Sequence, residues 1–349
     1  MSSSEGREPS PSPYQAPPRE RNEKGEVRRV GLELELGHLT LEHTLEILHK
    51  VLGGEIVSAS RTEGSVRDTK LGTFKVEVDS TPLKERAYLR PLEALGLDLD
   101  SPTAQLLEDS VLQVARELVP MEVVTAPIPW NRLGELDPLW QALREAGAED
   151  TRSTAWNAFG LHLNPEPPDF QVSTILDVVR AFLLLEDWIM QDTDVALSRL
   201  IAPYIRPFPE AYRRKVLAPS YRPDWETFVD DYLLDTPTRN RPLDLLPLIS
   251  FIGAPNLQPR VEDWPLVGQR PTFHYRLPNS ELANADWTPA VEWNRWVTIE
   301  RLAEDKPLLR ELSVSYLDTF DLPLRLQRSG WVEQLRARLS LAGPNTARA

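Results

Sequence analysis

The 349-residue chain has no cysteine. That absence excludes a disulfide framework, thiolate metal ligands and a cysteine nucleophile with its thioester intermediate. Basic residues are also in short supply, with 39 Lys and Arg against 53 Asp and Glu and a formal charge of -14. Such a balance repels phosphate backbones and anionic membrane surfaces, so no nucleic acid and no membrane partner is expected. Long apolar runs are missing too. The first thirty residues hold no apolar core region, and the most apolar helical stretch, Ala181 to Met190, is interrupted by Glu186 and Asp187. A cytoplasmic protein is the expectation. The chain lacks a Gly-x-x-x-x-Gly-Lys-Ser/Thr loop, a Gly-x-Gly-x-x-Gly after a strand, and a Gly-x-Ser-x-Gly elbow. The common nucleotide folds and the serine hydrolases are thereby disfavoured, and a nucleotide would have to be held by metals and arginines.

What is present is enough hydrophobic residue, 41%, to bury a core of one large domain or two ordinary ones. Residues 1–27 are rich in Ser, Pro and charge and read as a disordered tail, unable to offset the entropy of ordering. Strict alternation follows in Val30-Gly-Leu-Glu-Leu-Glu-Leu36, a strand with leucines on one face and glutamates on the other. A helix is expected from about Thr40 to Leu52, ended by Gly53-Gly54. Strands are expected over Glu55–Arg61 and Gly72–Ser80 with a polar connection between them, over Val119–Thr125, over Thr154–Leu163 with Asn164-Pro165 as its stop, and over Thr272–Leu277. Helices are expected over Thr103–Glu117, Asp137–Ala146, Val172–Ser198 and Thr288–Leu302, with two more before the C-terminus. The proline-rich stretch 203–271 has no clear periodicity. Strands interrupted by helices without a regular βαβ rhythm indicate an α+β domain.

The informative pattern is the recurrence of ionisable residues at alternate strand positions. Glu33 and Glu35 share a face, as do Glu77 and Asp79; Glu122, His162 with Asn164, and His274 with Arg276 add to it. Same-face neighbours on a strand are roughly 6.5 to 7 Å apart, so adjacent strands would bring several carboxylates to one floor. Uncompensated carboxylates at such distances raise one another's pKa, and the arrangement makes sense around cations: magnesium or manganese for oxygen ligands, with imidazole favouring manganese or a mixed site. Any single Glu-x-Glu pair is more simply a solvated strand face; the argument rests on repetition. Arginines are frequent between Arg199 and Arg241, among them Arg206, Arg213, Arg214, Arg222 and Arg239. Two readings stand level: an anion-binding cluster, or ion pairs with Asp224, Glu226, Asp230 and Asp231.

Taken in order, Arg29-Val-Gly-Leu-Glu-Leu-Glu-Leu36, Phe74-Lys-Val-Glu-Val-Asp-Ser80, Leu118-Val-Pro-Met-Glu-Val-Val-Thr-Ala-Pro127, Phe159-Gly-Leu-His-Leu-Asn164 and Thr272-Phe-His-Tyr-Arg-Leu-Pro-Asn-Ser280 resemble the successive strands of the putative amidoligase family. The resemblance runs from about residue 28 to 305. It implies a glutamine synthetase-like fold, a curved antiparallel sheet with helices packed outside and a concave face that binds ATP and divalent cations. On that pattern 28–345 forms one catalytic domain, with a helical, Pro/Arg-rich insertion around 170–270. The resemblance implies Glu33, Glu35, Glu122, His162 and His274 as ligands of Mg2+ or Mn2+. It implies Arg276 at the transferred phosphoryl group, with Glu77 and Asp79 lining the same floor; Asn279, Arg239 and Arg241 are further candidates at the nucleotide, and Glu77 or Asp79 is the candidate base for the amine. One departure stands out: the family usually has Glu-Phe-Arg where this chain has His274-Tyr-Arg276. The implied activity is an ATP-dependent carboxylate-amine ligase working through an acyl phosphate, on small-molecule or peptide carboxylates and amines. The alternatives are a phosphotransferase on the same scaffold, or a non-catalytic nucleotide- or peptide-binding relative.

Overall fold

The alternation at Arg29–Leu36 forms strand β1 and sorts it by face: Val30, Leu32, Leu34 and Leu36 are buried on one side, and Glu33 and Glu35 share the other. In the computed structural model, which describes residues 12–60, 62–78, 120–150, 159–193, 205–261, 264–321 and 324–341, β1 lies inside a large, open antiparallel sheet. The other strands of the sheet are β2 (Glu55–Ser58), β3 (Glu63–Thr69), β4 (Gly72–Val78), β5 (Met121–Val124), β6 (Ile128–Pro129), β7 (Leu161–Pro165), β8 (Leu243–Asp244) and β9 (His274–Tyr275). The spatial order is β2-β3-β4-β5-β1-β7-β9-β8, with β6 beside the start of β1. An α+β architecture is thus observed.

The helices among the described residues are α1 (Leu41–Leu52), α2 (Asp137–Glu145), α3 (Val172–Asp192), α4 (Glu210–Leu217), α5 (Trp225–Asp235), α6 (Leu246–Ile252), α7 (Pro289–Glu304), α8 (Lys306–Leu317) and α9 (Leu324–Leu339). The first begins where the Thr40 side chain accepts a hydrogen bond from the His43 N–H, and it ends at Gly53, whose φ of 76° suits a residue without Cβ. Leu41, Leu45, Leu48 and Leu52 are the buried stripe of α1, and the helix packs on β3 and β4. The approach is close: a Cβ on Gly64 would stand 2.5 Å from Leu45 Cδ1. On the other half of the sheet α3 and α7 pack together and meet the apolar side of β9, with Tyr275 against Phe182 at 6.0 Å and Trp296 at 5.6 Å between ring centroids. Burial of these apolar side chains, each contributing about 1.5–3 kcal/mol, fixes which face of the sheet turns inward.

Several expectations need correction. Residues 12–27, expected to be part of a disordered tail, lie along the body. Tyr14 is 4% exposed and donates to Asp137 Oδ1 at 2.8 Å, while Arg19 pairs with Asp169 at 2.7 Å. One buried aromatic and charged anchors offset an ordering cost that composition alone suggested would not be met; residues 1–11 lie outside the described residues. The polar connection between the second and third expected strands is itself a strand, β3, whose Gly64 and Val66 face the core. The strand expected to stop at Asn164-Pro165 instead includes them; Pro165, the last residue of the strand and without an N–H, still joins the ladder through its carbonyl, which accepts from the Phe273 N–H at 3.0 Å. The expected helical insertion supplies α3 to α6, but also β8, the edge strand beside β9. The expected helix at Thr103–Glu117 lies outside the described residues. No helix among the described residues is long and apolar enough to cross a membrane.

Candidate metal and phosphate site

Pairing across the sheet builds the site. Glu35 of β1 faces Glu122 of β5, which faces Glu77 of β4. Glu33 faces His162 of β7, and Asp244 of β8 faces His274 of β9. Directly opposed residues in antiparallel strands point to the same side. The ionisable groups therefore share one face, and the alternate positions Leu34, Val123, Leu161, Leu163, Tyr275 and Leu243 are buried on the other.

Two donor groups result. Glu33, His162 and His274 form one, and Glu35, Glu122 and His162 form the second; within each, the ligand atoms lie within 4.8 Å of one another. His162 belongs to both. Glu33 is 6% exposed, and its oxygens are heavily used. Oε2 is 3.2 Å from His162 Nδ1 and 3.8 Å from His274 Nε2, while Oε1 accepts from Asn164 Nδ2 at 2.9 Å and from Arg270 Nη1. Burial alone would push the Glu33 carboxyl up, but the hydrogen bond with His162 and the Arg270 guanidinium hold it well below the usual carboxylate range. Glu33 is therefore anionic.

His274 shows the opposite balance. Burial, reinforced by His162, Arg276 and Arg270, drives its imidazole well below the ordinary histidine value against the pull of Glu33. A neutral ring is the ligating form. Its Nε2 is buried and forms no hydrogen bond among the described residues, a costly state for a polar atom. The ring lies 5.2 Å from that of His162. In the second group Glu35 Oε2 accepts from the Gly160 N–H at 2.5 Å. Carboxylate oxygens with imidazole nitrogens, one of them buried and unused, are a donor set that fits a divalent cation such as Mg2+ or Mn2+.

Guanidinium groups gather beside this floor. Arg276 is 8% exposed, and its Nη1 donates to Arg239 O at 2.6 Å and Asn240 Oδ1 at 3.4 Å. Burial and then the neighbouring Arg239 lower its pKa. Asp244, buried opposite His274, is pushed up to about 6 by burial, against the Leu246 N–H hydrogen bond and the charges of Arg276, Arg239 and Arg270. Asn279 sits at the margin, where its backbone bridges to Gly160 and its Nδ2 donates to Thr193 O at 3.3 Å. Glu77 lies one strand beyond Glu122 and is half-buried; Asp79 lies outside the described residues.

Other expected residues are placed elsewhere. Arg241 spends its guanidinium on the carbonyls of Arg206 and Pro207, at 3.2 and 2.5 Å, and stacks 5.8 Å over Phe208, so it braces α4 and α5 and does not reach the floor. Arg213 is buried with Glu186, and Arg214 pairs with Glu210. The run of arginines is therefore largely structural, though not with the acids expected: Asp230 takes Arg260, Asp231 takes Lys215, and Asp224 caps α5. Arg270 is the functional candidate that sequence reasoning missed. Its signal was position, a lone cation four residues before His274 on the segment that enters β9.

A family model described as "Putative amidoligase enzyme" matches residues 26–298. That span includes every strand described above and both donor groups. No curated protein matches the chain, and no solved structure does.

Proposed function

The chain belongs to the putative amidoligase family, and from that membership we propose that it is an ATP-dependent carboxylate-amine ligase with a glutamine synthetase-like sheet. The observation that carries this reading is the convergence of Glu33 and Glu35 from β1, Glu122 from β5, His162 from β7 and His274 from β9 into two donor groups sharing one imidazole. Positions separated by as many residues as Glu33 and His274 meet only because the fold selects them. Their placement beside Arg276 and Arg239 supports a phosphate-handling role.

In this reading Glu33, Glu35, Glu122, His162 and His274 would hold Mg2+ or Mn2+. Such an ion would supply charge neutralisation for phosphate oxygens. Arg276, fixed by the Arg239 carbonyl, and the Arg239 guanidinium bind the γ-phosphoryl group and offset its developing charge. The substrate carboxylate attacks the γ-phosphorus, the bond to the β-γ bridging oxygen breaks, and ADP leaves with an acyl phosphate formed. A carboxylate offers only oxide as a leaving group, and phosphorylation replaces that with phosphate. The amine then attacks the acyl carbon, inorganic phosphate departs, and Glu77 or Asp79 receives the amine proton. No protein nucleophile is needed, in keeping with a chain without cysteine.

The test is an ADP-release screen over paired amino acids, peptides and polyamines with Mg2+ or Mn2+, run beside Glu35→Gln. Turnover yielding an amide and inorganic phosphate, and lost in the variant, supports the ligase. A stable phosphorylated acceptor would instead identify a phosphotransferase, and metal-dependent nucleotide binding without ADP from any pair would identify a non-catalytic relative.

A further inference from the structure

Among the floor carboxylates Glu33 already has a cation. Arg270 Nη1 forms an ion pair with Glu33 Oε1 and donates to Asn164 Oδ1 at 3.1 Å. The same Glu33 is a member of the group it would form with His162 and His274 around a metal. These two uses compete. A divalent ion shared by Glu33, His162 and His274 would sit within a few ångströms of a guanidinium, where like charges repel strongly in a buried setting.

The structure also indicates which partner gives way. Glu33, His162 and His274 are fixed on the central strands with side chains 9%, 9% and 5% exposed, whereas the Arg270 side chain is 37% exposed. Arg270 comes from the irregular segment between α6 and β9, anchored by its own N–H to Pro247 O at 3.2 Å and by Gln269 Nε2 to Ser250 O at 3.0 Å. Its backbone is held while its guanidinium reaches the carboxylate from the solvent side. A long side chain tethered in this way can swing outward with no change in the sheet.

We propose that Arg270 is a displaceable internal counter-ion: it neutralises Glu33 in the unloaded chain and leaves when an anionic phosphate ligand draws its guanidinium outward, which frees the Glu33–His162–His274 group for a divalent ion. Phosphate and metal binding are then coupled, each tightening the other by the same factor. An arginine of this kind keeps the buried Glu33 carboxylate neutralised without a resident metal and commits the site to metal only when phosphate is present. The proposal rests on the metal floor in the reading above, and not on ligation.

The test uses Mn2+ alone as probe on the whole chain, followed by electron paramagnetic resonance or equilibrium dialysis. Arg270→Gln is expected to bind Mn2+ about 5- to 150-fold more tightly than the unaltered chain, the usual range of a site-to-site coupling. Arg270→Lys keeps a charge at the end of a long side chain and stays near the unaltered affinity. Adding Glu33→Gln to Arg270→Gln abolishes the gain. Inorganic phosphate tightens Mn2+ binding in the unaltered chain and has little effect in Arg270→Gln, and the first half of that comparison needs no variant. Unchanged or weaker Mn2+ binding in folded Arg270→Gln, or no effect of phosphate on the unaltered chain, overturns the proposal. Since no nucleotide or turnover enters, tightening without any ligase activity would remove the ligation reading and leave this one standing.

Discussion

Two clusters of buried charge in this protein are built to different plans. Arg28, 2% exposed, meets Glu300, 4% exposed, through both carboxylate oxygens at 2.7 and 2.5 Å. The remaining donors of Arg28 go to the carbonyls of Glu166 and Arg19, and Trp296 Nε1 adds a 2.6 Å bond to Glu300. Every atom in that cluster is answered from within the chain. The floor around Glu33 is equally buried, yet it leaves His274 Nε2 without a hydrogen bond among the described residues and draws its cation from a half-exposed loop. A closed cluster stabilises a fold, and one that ends in an unused ligating atom is arranged for something from outside.

That contrast can be broken at either end. Arg28→Ala strands Glu300 as a buried, unpaired carboxylate and should cost about 3–5 kcal/mol, measured as a lowered urea midpoint, with Mn2+ affinity unchanged in the folded protein. Leu34→Ala, on the apolar side of the same strand as Glu33, should cost about 2–5 kcal/mol by cavity formation, again in denaturant unfolding. Glu35→Gln should lower ATP-dependent turnover about 100- to 1000-fold, the scale of removing one charge-stabilising group, while thermal melting shows stability within about 1 kcal/mol. If Glu35→Gln instead unfolds the chain and leaves turnover intact, the floor belongs with Arg28 and Glu300 as a structural cluster. The smallest effect is expected for Glu63→Gln. Glu63 faces Glu77 in the same register row but is exposed, so both stability and turnover should change by less than about 0.5 kcal/mol; a loss of turnover there would extend the site across β3.

How far the sequence foretold this depended on how many residues each element offered. β1 has enough alternating positions for its two faces to be read directly, and Glu33, Glu35 and the leucines fall as expected. Glu122 and His162 lie on short strands, but their order along the chain was readable from the family resemblance, and the structure brings them to β1. β8 has two residues, too few for any periodicity, so Asp244 gave no signal. Arg241 and Arg270 illustrate the remaining difficulty. Both are arginines in proline-containing segments, and only three-dimensional neighbours separate them: carbonyls of Arg206 and Pro207 for one, the Glu33 carboxylate for the other.

The strand order has a further consequence for how the chain assembles. β1 is made first, yet its ladder partners are β5, which begins at Met121, and β7, which begins at Leu161, and the layer beyond β7 is completed only at His274. During synthesis the strand waits with both backbone edges bare until Met121 has emerged and with one edge bare until Leu161, a high-contact-order topology of the kind that folds slowly. Charged residues spaced along such a segment, as Glu33 and Glu35 are, disfavour its pairing with other nascent chains.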